Sequence, residues 1–239
     1  MPRFRTLKPS EVAEKSPGDL VTIADTEAER EIVAALRAGN PRALAIGEEA
    51  VAADPSLRAL IDDAERVWLV DSVDGTRNFV AGTPDFGCMV VELHAGKPVR
   101  SWIWQAAYRR MFETVRGGGV HLGGRLLSRP PPQHFPLVGA ATADYALTDP
   151  GLPELWPMTG SCAMDYPLIA LGRRDYMIHN RNNPWDHWPG ILLLTELGGR
   201  VAFLDGEPFS SSSHNQNKVL AARSTGVWQT VAATVRDMN

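Results

Sequence analysis

Residues 86–93, 99–106 and 111–115 are apolar-rich, strand-like stretches, which predicts three strands in an antiparallel meander. His94-Ala95-Gly96-Lys97-Pro98 supplies the first turn between them. Upstream, the apolar run 67–70 reads as a buried strand and 43–46 as a short one. The period lengthens toward 3.6 over residues 26–38, where Ala28, Ile32 and Leu36 share one face of a helix. Thr26 and Glu29 have capping-box spacing, and Gly39-Asn40-Pro41 stops that helix. Asp54-Pro55 opens a second helix running to about residue 64, with proline at its first helical position.

Residues 129–136, Arg-Pro-Pro-Pro-Gln-His-Phe-Pro, exclude regular structure and mark the best internal boundary. They divide the chain into residues 1–132 and 133–239, two halves of one compact unit. Beyond them the pattern alternates: strand 137–141, helix 162–171, strand 175–178, helix 187–197, strands 200–204 and 219–222, and an amphipathic helix to about residue 235. The first half is thus α+β and the second more nearly α/β.

Composition narrows the classes. The chain has 239 residues, enough for a substantial core, with 44% hydrophobic and 22% charged residues. Its net charge of −4 and the lack of a basic block argue against a nucleic-acid polymer or an anionic membrane as partner. Two cysteines, Cys88 and Cys162, sit in apolar surroundings without paired spacing and read as buried thiols of a reducing compartment. With no apolar signal core and no run of about 20 apolar residues, a cytoplasmic location is expected.

The chemistry concentrates in residues 67–79. The strand 67–70 delivers Asp71 to its end, and Asp74 follows beside Gly75 and Thr76. Two carboxylates so close repel and lose solvation, and no Lys or Arg lies between them, so a hard divalent metal is the natural counter-charge. Gly75 permits unusual backbone angles and close approach of N–H groups to an anion, and Thr76 adds a hydroxyl. An Asp-x-x-Asp-Gly turn can also be a solvated loop, so its weight comes from the rest of the chain. In the second half Asp186, after Pro184 and Trp185, is placed as a helix N-cap, with Pro189 in the first turn.

Four segments in order resemble the inositol monophosphatase family. They are the N-terminal Lys15-Ser-Pro-Gly-Asp19-Leu-Val-Thr22-Ile-Ala-Asp25, Gly47-Glu48-Glu49, Asp71-Ser-Val-Asp74-Gly75-Thr76-Arg-Asn78-Phe79, and Trp185-Asp186 with Glu196-x-Gly198-Gly199. The resemblance implies a layered αβαβα sandwich of the sugar-phosphatase type and a Mg²⁺-dependent phosphomonoesterase with two or three ions. It implies one metal on Glu48, Asp71 and the Val73 carbonyl, and a second on Asp71, Asp74 and Asp186. Glu48 and Thr76 would orient the attacking water, with Asp74 beside them in the catalytic set. The N–H groups of Gly75 and Thr76 would hold phosphate, and Asp25 would support Thr76 from behind. Gly160-Ser161, His179 and Asp186 would contact substrate. A homodimer is also implied.

No Cys or Ser nucleophile with a neighbouring base is evident, so direct attack by water is expected. His187 is expected to point away from the metals. Ser72 stands where the family has proline and would loosen the turn. His179 replaces a glutamate that contacts inositol hydroxyls, which weakens the case for that substrate. Arg77 is a candidate phosphate-side cation, and Arg173-Arg174 reads as a solvated helix end. The leading expectation is hydrolysis of a small polyol or sugar phosphate. The alternatives are a histidinol phosphate, a nucleotide 3′-phosphate or fructose bisphosphate as substrate, or a catalytically weak homologue that binds a phosphorylated ligand for regulation.

Overall fold

The computed structural model describes residues 2–129, 133–142, 155–212 and 218–236. Its chain order is β1 (Val12–Ser16), β2 (Asp19–Thr22), α1 (Ile23–Gly39), β3 (Leu44–Gly47), α2 (Glu48–Ala53), a 3-10 turn (Pro55–Ala59), α3 (Leu60–Asp63), β4 (Arg66–Asp74), α4 (Thr76–Ala81), β5 (Gly87–His94), β6 (Lys97–Gln105), β7 (Arg110–Val115), β8 (Gly119–Leu122) and β9 (Arg125–Leu126). The second half adds β10 (Gly139–Ala141), β11 (Leu155–Pro157), α5 (Cys162–Ala170), β12 (Tyr176–His179), α6 (Pro184–Glu196), β13 (Arg200–Phe203), β14 (Val219–Ala222) and α7 (Thr225–Arg236).

β3 to β9 form a seven-stranded sheet in sequence order, antiparallel except for the β3–β4 pair. The second sheet runs β11-β10-β12-β14-β13. α1 lies against β3 and β4 on the outside of the large sheet. α5 and α6 fill the space between the sheets. There Met89, Ile103 and Phe112 of the large sheet meet Met164, Tyr166 and Leu193 of the helices and Met177 and Ala221 of the small sheet. α7 covers the far face of the small sheet through Val227, Trp228 and Val231. The layers therefore read α-β-α-β-α, as the resemblance implies. The two middle helices approach closely because Gly190 lacks a side chain: a Cβ there would stand 2.1 Å from the Tyr166 ring.

Several boundaries differ from the sequence reading. α1 begins at Ile23 with Thr22 as its N-cap and Asp25, not Glu29, completing the capping box. Thr22 and Asp25 have the same spacing as Thr26 and Glu29, and tertiary bonds to Asp25 decide between them. α2 was not expected. The stretch 55–64 divides into a 3-10 turn and one α-helical turn. α6 begins at Pro184 after N-cap Asn183, so Asp186 is the third helical residue and does not cap. Arg173 is exposed, but Arg174 is buried: its Nη1 lies 2.6 Å from Asp165 Oδ1 and its Nη2 donates to the Pro157 carbonyl. The reading of both arginines as solvated is therefore corrected. Cys88 and Cys162 are free thiols. Among the described residues, no helix is long and apolar enough to cross a membrane.

Candidate active site

The strand β4 is buried along most of its length and ends at Asp71–Asp74, so its hydrophobic run carries two carboxylates into the interior. Gly75 follows at φ +88° and caps α4. A Cβ there would stand 2.9 Å from Ser161 Cβ and 3.0 Å from the Asp85 carbonyl oxygen, so both backbone angle and space require glycine. The chain then turns sharply from strand to helix beside a cavity of about 460 Å³. Glu48, Asp71, Val73, Asp74, Gly75, Thr76, Ser161, His179 and Asp186 all line it.

Glu48, Asp71 and Asp186 come together: each offers a carboxylate oxygen within 4.8 Å of the others. They arrive from three elements, α2, β4 and α6. Burial pushes the Asp71 and Asp186 carboxyls well above the usual range, and Glu48 and Asp74 add repulsion. Such a group is costly without a cation, and its all-oxygen donor set fits a hard divalent ion. Asn183 Nδ2 donates to Asp186 Oδ2 at 3.2 Å and steadies it. His187 points away, as expected, into a buried contact with Tyr166 Oη and the Arg181 carbonyl.

Asp74 stands outside that trio. Its Oδ2 accepts from the Ser161 hydroxyl and, at 2.6 Å, from the Ala163 N–H at the start of α5. Burial pushes its pKa up to about 6 against those bonds. Only its other oxygen remains to face the cavity. Ser161 is likewise engaged: its hydroxyl goes to Asp74 and its N–H to Thr159 Oγ1. Ser161 lines the cavity with Gly160, and its hydroxyl and N–H both serve the turn that starts α5.

Behind the cavity, Asp25 collects donors. Its Oδ2 accepts from the Thr22 N–H at 2.8 Å and the Thr22 hydroxyl at 2.5 Å, and its Oδ1 from Thr76 Oγ1 at 3.0 Å. Ser72 Oγ donates to the Asp25 carbonyl at 2.8 Å. This bond, which proline could not make, ties β4 to α1 and offsets the loosening expected from Ser72.

Lys15, Gly47 and Asn78 lie within the motifs and Glu29 within α1, but the contacts of these residues and of Arg181 carried no signal in the sequence. Glu29 reaches from α1 to accept the N–H groups of Glu49 and Ala50, capping α2 and so placing Glu48. Gly47 makes room for it, since a Cβ would fall 2.0 Å from the Glu29 carboxyl carbon. Lys15 Nζ lies 2.7 Å from Glu48 Oε1 and 3.0 Å from Glu49 Oε1. Burial alone would lower its pKa, and the two carboxylates raise it above the usual range. Asn78 Nδ2 donates to the carbonyls of Asp85 and Thr159, joining α4 to the segment before α5. Arg181, in the loop before α6, lines the cavity. Arg77 also lines it, but its guanidinium donates to the Gly18 carbonyl in the β1–β2 turn, so it is committed to that hairpin.

A family model described as the inositol monophosphatase family matches residues 1–238. Inositol-1-monophosphatase of Mesorhizobium japonicum is 29% identical over 224 residues, covering 85% of this chain and 79% of that protein. Nus factor SuhB of Pseudomonas aeruginosa is 29% identical over 227 residues, with coverage of 85% and 79%. A solved IMPase/NADP phosphatase complexed with Mg²⁺ and phosphate superimposes with a TM-score of 0.79 at 20% identity, covering 96% of this chain and 88% of that one.

Proposed function

Since the chain belongs to the inositol monophosphatase family and is a phosphoric monoester hydrolase, we propose that it hydrolyses a small polyol or sugar phosphate with magnesium as cofactor. The observation that carries this reading is the convergence of Glu48, Asp71 and Asp186 in one cavity with Gly75 and Thr76. A relative of the same fold solved with Mg²⁺ and phosphate adds support.

Glu48, Asp71 and Asp186 would hold the first ions, with the Val73 carbonyl and the cavity-facing oxygen of Asp74 as further donors. Magnesium bound there supplies charge neutralisation at phosphate and acidifies water. Thr76 Oγ1 faces two acceptors, Asp25 Oδ1 at 3.0 Å and the Val73 carbonyl at 3.1 Å, so its one proton is taken up within the protein and its oxygen is left to accept from the attacking water. Glu48 orients the same water from the opposite element. The N–H groups of Gly75 and Thr76 at the turn into α4 cradle phosphate oxygens. Asp74, fixed by α5, keeps the two halves of the cavity in register. The number of ions, two or three, is part of the proposal.

A regulatory reading, ligand binding with little turnover, is favoured by the relative named Nus factor SuhB. One assay separates the two. Phosphate release is measured across a panel of phosphate esters with Mg²⁺, and again after chelation. Release that is abolished by chelation and restored by Mg²⁺ supports the enzyme. Release indifferent to chelation, or absent for every ester, overturns it.

A further inference from the structure

The loop between β12 and α6 is held from several sides, and its side chain at position 181 faces the cavity. His187 Nε2 lies 2.8 Å from the Arg181 carbonyl, which can only accept, so Nε2 carries the proton and Nδ1 accepts from the Tyr166 hydroxyl at 2.8 Å. His187 is fully buried. On the other side, His179 Nδ1 lies 3.1 Å from both the N and the O of Arg181. The two rings stack edge to face with centroids 5.2 Å apart. Arg58 Nη2 donates to the next carbonyl, that of Asn182, at 3.2 Å. A backbone gripped at both polar atoms of one residue fixes where that residue's side chain leaves the chain.

The Arg181 side chain is 57% exposed at the mouth of the cavity. Its nearest carboxylate is Asp19, at 3.8 Å, longer than a hydrogen bond. Arg77, the other guanidinium of the cavity, is committed to Gly18. At the end of β12 the cavity wall carries His179, whose pKa burial pushes down to about 4. This side of the cavity therefore presents a guanidinium and a neutral imidazole beside the Asp19 carboxylate, whereas Glu48, Asp71 and Asp186 gather as a trio, with Asp186 near enough to feel the Arg181 charge.

We propose that Arg181 is a specificity-determining residue that reads a second anionic group, a carboxylate or a second phosphate, on the leaving portion of the substrate. The guanidinium fork matches either group in a paired, charge-assisted contact, for which lysine is a poor substitute. The proposal rests on the phosphatase reading above and narrows its substrate class from neutral polyol phosphates to those carrying another acid.

The test uses two matched pairs of esters: glycerol 2-phosphate against 2-phosphoglycerate, which differ by one carboxylate, and fructose 6-phosphate against fructose 1,6-bisphosphate. The readout is the ratio of kcat/KM within each pair, for the wild type, Arg181→Met and Arg181→Lys. The expected result is a wild-type ratio favouring the more anionic ester, which falls about tenfold in Arg181→Met through KM and is partly recovered in Arg181→Lys. The pair that responds identifies carboxylate or phosphate as the group read. A ratio unchanged by Arg181→Met, or an equal loss for both members of each pair, overturns the proposal. Calorimetric binding of 2-phosphoglycerate and fructose 1,6-bisphosphate in Ca²⁺ reports independently of turnover. Should no ester be hydrolysed, the phosphatase reading fails, while a Met-sensitive preference in binding would still uphold the role of Arg181. Equal binding of both ligands by wild type and Arg181→Met would refute it.

Discussion

Thr76 Oγ1 lies 3.0 Å from Asp25 Oδ1, although the two residues are 51 positions apart and belong to different helices. Asp25 is only 2% exposed, and its carboxylate accepts three donors, two of them from Thr22. Burial raises its pKa, and the bonds from Thr22 and Thr76 pull it back. The Thr76 hydroxyl also lies 3.1 Å from the Val73 carbonyl, and the carboxylate, as the charged acceptor, is the stronger of the two and directs the proton.

Asp25→Asn places an amide against Thr76 and removes that direction. Turnover is expected to fall about 10- to 100-fold, the usual cost of losing an orienting partner behind a site. Circular dichroism should stay native, because asparagine still accepts from Thr22. A kcat within twofold of wild type would mean that Thr76 needs no orientation from Asp25.

Asp71→Asn removes one charge from the carboxylate trio. Magnesium-dependent turnover is expected to drop by at least about a hundredfold, beyond the range for an outer partner. The metal-free protein should become more stable, since burial and its neighbours already disfavour the charged form of Asp71. Thermal unfolding in a chelator checks the second half; a lower midpoint than wild type would contradict it.

Stability should depend on pH in a metal-sensitive way. Asp74 titrates near 6 in the fold, and Asp71 and Asp186 are raised well above the usual value of 3.8. Folded pKa values above unfolded ones mean that the folded state binds more protons in between, so stability falls as pH rises from about 4 through 6 and beyond. Magnesium replaces those protons. The gain in unfolding midpoint on adding Mg²⁺ is therefore expected to be larger at pH 8 than at pH 6, and equal gains would argue against a cation at this trio.

Gly47→Ala drives a Cβ into the Glu29 carboxyl and costs about 1–3 kcal/mol as an overpacked site. Glu29→Ala loses the cap of α2, worth about 1 kcal/mol. Because the two changes act on the same contact, the double variant should be less destabilised than their sum. Urea unfolding of the three proteins decides; strict additivity would separate Gly47 from Glu29.

The large sheet was legible because its core faces the interior on alternate residues: Met89, Val91 and Leu93 point inward, with Cys88, Val90 and His94 opposite. The three carboxylates Glu48, Asp71 and Asp186 were legible from the motifs that carry them, whereas the bonds made by Asp74 were not. Asp74 has the same local surroundings in sequence as Asp71, and only the arrival of α5, nearly ninety residues later, turns one of its oxygens away. The same holds for Glu29 and Arg174. Glu29 reads as a capping-box residue and Arg174, past the end of α5, as solvated until α2 and Asp165 supply their partners. The strands β8, β9 and β11 are two to four residues long and too short to establish any alternation.

Glu196, at the end of α6, accepts the N–H groups of Gly117 and Gly119 in the turn between β7 and β8. Asp186 sits at the other end of the same 13-residue helix, about 20 Å long at 1.5 Å per residue. The helix thus behaves as a spar pinned at its far end to a surface hairpin. A substitution in that glycine turn would register as a rotation or slide of the carboxylate at the near end, so sensitivity to mutation should extend along this axis to a loop remote from any reacting atom.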